Sequence, residues 1–258
     1  MNLIYYSFFF ILFTLPTACG TKSSSHETKV YKIASYNVRN AKGMDNVTDF
    51  DRVSKVITDM DAETIAIQEL DSATVRSNGK VVLDELTVRT GMHASFNGSI
   101  EFQGGKYGIG ILSKEKPLRT EAVELPGREE KRSLLLVELE DYVVGCTHLS
   151  LNEEDRQSSM EIIQNHTAKY TSKPVFLVGD LNASPDSEEI AYLSENWIML
   201  NDPNEPTFPS DTPNVTIDYL LLKKNDNFSH SVITAEVVDE PMASDHRPLM
   251  VEVEISRK

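Results

Sequence analysis

The segment Val175-Phe176-Leu177-Val178-Gly179-Asp180-Leu181-Asn182 predicts a buried strand that ends in polar side chains. Four consecutive apolar residues indicate a strand that is covered on both faces, because a half-exposed strand alternates apolar and polar residues. Gly179 allows the backbone to turn, and Asp180 and Asn182 follow two residues apart. Side chains two apart on an extended segment point to the same side. We therefore expect a carboxylate and a carboxamide to face a ligand site at the edge of a sheet.

The rest of the chain alternates between strand and helix patterns from Val30 onward, without a clear linker. Roughly ten strands with few helices between them predict two packed sheets with outer helices in one domain. The predicted strands outside the opening segment are residues 30–36, 64–68, 108–112, 134–140, 142–147, 217–222, 231–238 and 249–255. The predicted helices are one with Phe50, Val53, Ile57 and Met60 on a single face, one over residues 153–170, and a short one that begins at Ser184-Pro185-Asp186.

The N-terminus resembles a bacterial lipoprotein signal. Residues 8–13 form an apolar run that is too short to span a bilayer, and small residues then lead to Cys19. We expect residues 1–18 to be a signal peptide, Cys19 to be lipidated, residues 19–29 to be a tether and residues 30–258 to be the folded domain. The segment before Cys19 has no Lys or Arg, so an ordinary secretory signal or an uncleaved anchor is the alternative. The expected location is a bacterial cell envelope, with the membrane reached only through the N-terminal lipid.

Cysteine content and charge restrict the function further. The chain has two cysteines, so lipidation of Cys19 leaves no intramolecular disulfide and predicts that Cys146 is an inert, buried thiol. The formal net charge of −15 disfavours nucleic acid as a partner, because an acidic protein repels polyphosphate backbones. The segment richest in basic residues, Lys114 to Arg132, holds six Lys or Arg against five Glu and predicts a solvated loop and strand edge.

Eight polar side chains end or interrupt the predicted strands. A single Glu or His in such a place is usually solvated or satisfied by a neighbour, and alone it indicates little. Asp218 is harder to explain structurally, because a carboxylate within an apolar strand is costly to bury without a partner. Together the eight residues predict one polar site. They are Asn37, Glu69, His148, Asp180, Asn182, Asp218, Asp245 and His246.

The order and spacing of these residues resemble the endonuclease/exonuclease/phosphatase superfamily of DNase I-like proteins. The resemblance covers residues 30–256. It implies an α/β fold, a four-layer α-β-β-α sandwich of two packed and mainly antiparallel sheets, and the activity of a metal-dependent phosphoric ester hydrolase. The motifs that carry it are Tyr36-Asn37, Gln68-Glu69, Tyr107-Gly108-Ile109-Gly110, Thr147-His148, Gly179-Asp180-Leu181-Asn182, Ile217-Asp218-Tyr219 and Ser244-Asp245-His246.

The resemblance also implies a metal site. Glu69 corresponds to the chief metal ligand, with Asn37 and Asp245 beside it, and such oxygen ligands suit Mg²⁺ or Mn²⁺ better than Zn²⁺. One ion is expected, because Arg39 lies where abasic-site endonucleases have a further carboxylate. Arg39 and, more weakly, Arg132 are candidates for binding the substrate phosphate, and a surface position without function is the alternative for both.

The catalytic roles follow from the same resemblance. Asp218 orients His246, and Asp180 orients or deprotonates the attacking water. Asn182 holds a non-bridging phosphate oxygen, and His148 donates to the phosphoryl group. Whether Asp180 or His246 is the general base stays open. The segment 207–210 is expected to shape the rim of the pocket.

The favoured function is a monomeric, Mg²⁺-dependent phosphohydrolase that cleaves a P–O bond of a phosphodiester or phosphomonoester by in-line attack of water. The expected substrate is a small phosphorylated molecule or a lipid headgroup. The first alternative is a secreted nuclease that degrades DNA or RNA, which the net charge disfavours. The second is a non-catalytic binding lipoprotein on the same fold, which the complete set of polar residues disfavours.

Overall fold

The computed structural model describes Met1, Leu3 and residues 28–258. Cys19 and most of the predicted signal peptide and tether lie outside the described residues. The first strand begins at Thr28, so the last two residues of the predicted tether belong to the folded domain. Within the described part of the chain, no helix has the length and apolar character needed to cross a membrane.

The strands and helices follow one another as the sequence patterns indicate, with several additions. The strands are β1 (Thr28–Asn37), β2 (Thr64–Ser72), β3 (His93–Phe102), β4 (Gly105–Ser113), β5 (Arg119–Leu125), β6 (Arg132–Glu138), β7 (Val143–His148), β8 (Val175–Asp180), β9 (Trp197–Met199), β10 (Asp218–Lys223), β11 (Phe228–Val237) and β12 (Leu249–Arg257). The helices are α1 (Phe50–Met60), α2 (Val82–Thr90), α3 (Glu153–Thr167) and α4 (Glu188–Asn196).

The strands form two sheets of six strands each. The first has the order β11-β12-β1-β2-β4-β3, and the second has the order β5-β6-β7-β8-β10-β9. Each sheet has one parallel pair, β1 with β2 and β7 with β8, and its other pairs are antiparallel. The predicted sandwich of two mainly antiparallel sheets is confirmed.

The apolar side chains separate into an inner core and two outer cores. The inner core lies between the sheets, and each outer core lies between one sheet and its helices. In β8, Phe176 and Val178 face the inner core, whereas Val175 and Leu177 face the core under α3 and α4. The unbroken apolar run of β8 therefore reflects burial on both faces, as predicted.

Local sequence explains how α1 covers the first sheet. The side chain of Asp49 accepts a hydrogen bond from the backbone N–H of Arg52, which caps the first turn. The predicted apolar face is buried at Val53, Ile57 and Met60, while Phe50 is only partly buried. The helix ends where Asp61 adopts a left-handed conformation with φ of 50°.

Cys146 is a free and fully buried thiol in β7, as predicted. Burial raises its pKa to about 12, against the weaker opposing effect of a hydrogen bond from Gln68. A thiol with so high a pKa is protonated at neutral pH and is therefore a poor nucleophile.

The strand topology brings many strand ends to one edge of the sandwich. The carboxyl ends of the parallel strands β1 and β2 lie there, together with the start of β12, which runs antiparallel to β1. In the second sheet the ends of β7 and β8 meet the start of β10 in the same way. We call this the polar edge, because the predicted site residues lie at it.

Gly179 is part of β8, which continues to Asp180, so the predicted turn at this glycine is wrong. Its φ of 148° is a conformation that other residues rarely adopt, and a Cβ atom there would lie 2.0 Å from the carbonyl oxygen of Thr147. The glycine therefore allows β7 and β8 to pair closely just before Asp180.

We expect Gly179→Ala to lower the free energy of unfolding by more than about 2 kcal/mol, because the backbone of β7 must move away. Urea denaturation measures this effect. Gly145→Ala is the matched control in β7, where the nearest atoms to a Cβ would be the ends of the Leu134 and Leu136 side chains at 3.1 Å, with the Phe176 carbonyl oxygen at an ordinary 3.6 Å. Its expected cost is about 1 kcal/mol. Equal losses for both variants would contradict the role of Gly179.

Candidate active site

Three side chains of the second sheet stand side by side at the polar edge. His148 ends β7, Asp180 ends β8 and Asp218 begins β10. The strand register pairs Asp180 with His148 on one side and with Asp218 on the other. All three residues are buried. Their proximity is thus set by backbone pairing.

Asp218 and His246 form a buried pair. The Oδ2 atom of Asp218 lies 2.9 Å from Nδ1 of His246 and accepts a hydrogen bond of 2.6 Å from the hydroxyl of Thr207. Asp218 is the first residue of β10, so the predicted position inside the strand is corrected by one residue. The ring of Phe208 packs against His246 with 4.8 Å between the ring centroids. The imidazole is therefore held by a carboxylate at one nitrogen and by an aromatic ring nearby.

Asp180 lies between the two histidines. Its Oδ2 atom is 3.5 Å from Nε2 of His148 and 3.7 Å from Nε2 of His246. The same oxygen accepts a hydrogen bond of 3.1 Å from the side-chain amide of Asn37. Through these contacts Asp180 joins residues of both sheets.

The two histidines have opposite pKa shifts. Burial lowers the pKa of His246, but the carboxylates of Asp218 and Asp180 outweigh this effect and raise it well above the ordinary value. Burial lowers the pKa of His148 to about 4, because Asp180 only partly offsets it and Arg132 adds to it. The site therefore contains one cationic and one neutral imidazole at neutral pH.

Glu69 projects from an irregular point of β2. The pairing of β2 with β4 shifts register between Ile67 and Leu70, and Glu69 has a left-handed φ of 60°. Such strain in a residue other than glycine is concentrated at functional sites. Its carboxylate accepts a hydrogen bond of 3.2 Å from Asn37. Burial and the carboxylates of Asp245 and Asp180 raise the pKa of Glu69, although Asn37 and His246 act against them.

Asp245 lies next to β1 and pairs with Arg39. The two atoms that form the ion pair, Nε of Arg39 and Oδ2 of Asp245, are 3.3 Å apart. Arg39 begins a short turn in which it, Asn40 and Ala41 all have positive φ. The hydroxyl of Ser244 donates to the carbonyl oxygen of Asn37 at 2.7 Å and fastens this loop to the end of β1.

Asn182 differs from the sequence-based expectation. Its φ of 48° places it in the left-handed region, so the segment after Asp180 is not extended. Its backbone N–H donates to Oδ1 of Asp180, and its side-chain amide donates to the carbonyl oxygen of Leu149. Asn182 thus lies beside Asp180 as predicted, but through a left-handed turn and not through the predicted extended segment.

The two candidate phosphate-binding arginines are both paired with carboxylates. Arg39 pairs with Asp245, and Arg132 begins β6 with its Nη1 atom 2.9 Å from Glu130. Arg132 is buried and Arg39 is partly exposed. Arg132 is therefore not a surface residue, whereas Arg39 remains partly accessible to solvent.

Two groups of side chains at the polar edge have ligands for a divalent cation. Asp180, Asp218 and His246 each offer a ligand atom within 4.8 Å of the others. Glu69, Asn37 and Asp245 form the second group, which Asn37 links to Asp180. These groups supply the carboxylate and amide oxygens that Mg²⁺ and Mn²⁺ prefer, and a bound cation would offset the burial and neighbouring carboxylates that raise the pKa of Glu69. The residues present therefore fit a divalent metal ion.

Sequence reasoning did not assign roles to the hydroxyl groups of the site. Thr207 was expected only at the pocket rim, but it is fully buried and donates to Asp218. Ser244 lies inside a predicted motif and fixes the position of its neighbours. Hydroxyl side chains in loops follow no distinctive sequence pattern. The sequence signal for Thr207 and Ser244 was their position close to residues already assigned to the site.

Two six-stranded sheets with a buried set of carboxylates and histidines at one edge define the class of DNase I-like α/β sandwiches. The sequence matches the model of the Endonuclease/Exonuclease/phosphatase family over residues 34–246. The chain belongs to this family, whose members are phosphoester hydrolases. No curated protein matches the sequence significantly.

Solved structures with the same fold come from bacteria and from human. A protein of this family from Beutenbergia cavernae has a TM-score of 0.71 and 20% identity, with 87% of this chain and 71% of that chain covered. A mannosyl-6-phosphatase of Bacteroides thetaiotaomicron has a TM-score of 0.65 and 16% identity, with coverage of 86% and 99%. The human Nocturnin catalytic domain with bound sulfate has a TM-score of 0.64 and 15% identity, with coverage of 88% and 97%. At these identities the likeness establishes the fold alone.

Proposed function

We propose that the protein is a divalent-metal-dependent phosphohydrolase that cleaves a P–O bond of a phosphomonoester or phosphodiester by in-line attack of water. The observation that carries this proposal is the contact of Asp180 with two histidines, one of which is paired with Asp218. These groups can accept, hold and donate protons around one phosphoryl group. Family membership supports the same class of reaction.

Asp180 and His246 are the groups that handle the proton of the attacking water. Asp180 is an acceptor within reach of Asn37 and both imidazoles, so it can orient the water and take up its proton. His246 is held by Asp218, which stabilises its charged form. The lowered pKa of His148 keeps that imidazole neutral, so it can donate one N–H bond to the phosphoryl group.

Glu69 is the proposed chief ligand of one Mg²⁺ or Mn²⁺ ion, with Asn37 and Asp245 beside it. When bound, the ion neutralises charge on the phosphoryl group and assists departure of the leaving oxygen. The side-chain nitrogen of Asn37 donates to Glu69 and Asp180, while its oxygen accepts from the backbone N–H of Arg39. In this arrangement Asn37 positions the carboxylates of Glu69 and Asp180. For its side-chain oxygen to bind the ion, the amide group must rotate so that its oxygen and nitrogen exchange places.

Three further side chains are proposed to bind the phosphate. The side-chain amide of Asn182 donates one N–H to the carbonyl oxygen of Leu149 and would use its second N–H to hold a non-bridging oxygen. Arg39 pairs with Asp245 at the polar edge, and Arg132 lies at the same end of the second sheet as His148. Guanidinium groups bind phosphate oxygens well because their N–H donors form a planar fork.

The proposed substrate is a small phosphorylated molecule or a lipid headgroup. A net charge of −15 opposes approach of a nucleic acid, whose binding depends on neutralising many phosphates. The mannosyl-6-phosphatase among the structures of the same fold makes sugar phosphates a reasonable part of a substrate panel.

The test of this function is a panel of bis-p-nitrophenyl phosphate, p-nitrophenyl phosphate, sugar phosphates, inositol phosphates, plasmid DNA and RNA, with Mg²⁺ or with EDTA. We expect Mg²⁺-dependent hydrolysis of a small ester, and we expect Asp180→Asn to lower kcat by about 10²–10⁴ fold. Asp186→Asn, in an exposed turn nearby, is the matched control and should keep full activity.

Three outcomes contradict the proposal. Rapid nicking of plasmid DNA at physiological salt would favour the nuclease alternative. If Asp180→Asn retained all activity of the unsubstituted protein, the catalytic assignment would be wrong. A folded protein that hydrolyses nothing in the panel would favour the non-catalytic alternative.

We further propose that Cys19 carries a lipid that anchors the protein in a bacterial cell envelope. The apolar run, the small residues before Cys19 and the polar tether support this location. We expect the protein expressed in bacteria to incorporate radiolabelled palmitate and Cys19→Ala to lose the label. Equal labelling of both proteins would contradict lipidation at Cys19.

A further inference from the structure

Arg132 is a buried cation at the polar edge. It begins β6, and β6 pairs with β7 in a register that aligns Leu134 with Thr147. The register places Arg132 at the same end of the sheet as His148. Of the effects that lower the pKa of His148, burial is the largest and the positive charge of Arg132 is the next. Only 6% of Arg132 is exposed.

The guanidinium of Arg132 is only partly satisfied. Its Nη1 atom pairs with Oε1 of Glu130 at 2.9 Å. Its Nε atom is buried and has no acceptor among residues 28–258. A buried N–H donor without a partner is uncommon in folded proteins, and here it leaves a donor for an acceptor that arrives from outside. Phosphate oxygens match the fork of donors that a guanidinium presents.

The turn that carries Glu130 is fastened by its other residues. Arg128 binds Asp155 and Glu154 at the start of α3. Glu129 accepts a hydrogen bond of 2.8 Å from the hydroxyl of Ser150, two residues after His148. The turn is therefore fixed over this part of the site.

Glu130 differs from its neighbours in the turn. Within the described part of the chain, its carboxylate pairs with Arg132 alone, and 29% of its side chain is exposed. A carboxylate in this position can rotate into solvent while the backbone of the turn stays in place. Glu130 therefore neutralises Arg132 without being locked onto it.

We propose that Glu130 stands in for the substrate phosphate: its carboxylate occupies Arg132 in the resting site, and a phosphate oxygen displaces it on binding. The proposal rests on the proposed function, because the displacing ligand is the phosphoryl group of the substrate. It assigns Glu130 a part in setting phosphate affinity. A buried arginine without any anion is unfavourable, so the carboxylate also stabilises the empty site.

The test is isothermal titration calorimetry of the purified protein with inorganic phosphate in the presence of Mg²⁺. Glu130→Gln should bind phosphate about fivefold more tightly, because a neutral amide competes less well for the guanidinium than a carboxylate does. Glu129→Gln removes an equal charge from the same turn without touching Arg132. Its phosphate affinity should stay within about twofold of the unsubstituted protein.

A second substitution shows whether the gain passes through Arg132. In the Arg132→Gln background, Glu130→Gln should no longer tighten phosphate binding. Thermal unfolding checks that this double variant is folded. If it is not, Arg132→Lys replaces it, and the gain should shrink because lysine lacks the planar fork.

Two results would overturn the proposal. One is a Glu130→Gln variant with unchanged phosphate affinity. The other is a gain in phosphate affinity that does not depend on Arg132: either Glu129→Gln gains as much as Glu130→Gln, or Glu130→Gln keeps its full gain in the Arg132→Gln background. Either result means that the turn affects phosphate only through its net charge. Phosphate binding needs no turnover, so this test is separate from the substrate panel. An inactive protein that still shows the gain through Arg132 would refute the proposed hydrolysis and leave the role of Glu130 standing.

Discussion

The buried hydrogen bond between Asp218 and His246 is the constraint on which the rest of the site depends. A carboxylate and an imidazole can remain buried only when each has partners, and here Thr207 and Asp180 provide them. Asp218 belongs to one sheet, whereas the loop of His246 is fastened to β1 of the other. The pair therefore fixes how the two sheets meet at the polar edge, and Asp180 and Asn37 complete the same network.

The topology explains why this network forms at the polar edge. Each sheet has a single parallel pair at its centre, so two neighbouring strands end together. An antiparallel neighbour of each pair then begins at that edge. Side chains at these strand ends lie outside the inner core, and the strand register determines which of them are in contact. The left-handed backbone at Glu69 and Asn182 directs two further side chains towards the same place.

Apolar runs and the polar residues that end them predicted the central strands and two packed sheets, and they singled out the eight residues that lie at the polar edge. The mainly antiparallel sandwich and the roles of these residues were implied by the family resemblance. The edge strands β3, β5 and β9 were missed, because strands with few buried positions lack a clear apolar pattern. The sequence placed Asn182 correctly beside Asp180 for the wrong reason, since the sign of its φ depends on tertiary contacts. The pairing of Arg132 with Glu130 was not predicted either. The balance of charges in the segment from Lys114 to Arg132 predicts a solvated loop and strand edge, but it does not indicate which charges pair.

The location of the metal ion tests this account most directly, because Asp180, Asp218 and His246 could serve either as ligands or as proton-handling groups. Crystals soaked with Mn²⁺ would locate the ion by its anomalous scattering. We expect the peak against the carboxylate of Glu69, with the 2.9 Å contact between Asp218 and His246 retained. A peak among Asp180, Asp218 and His246, with that contact broken, would contradict the account.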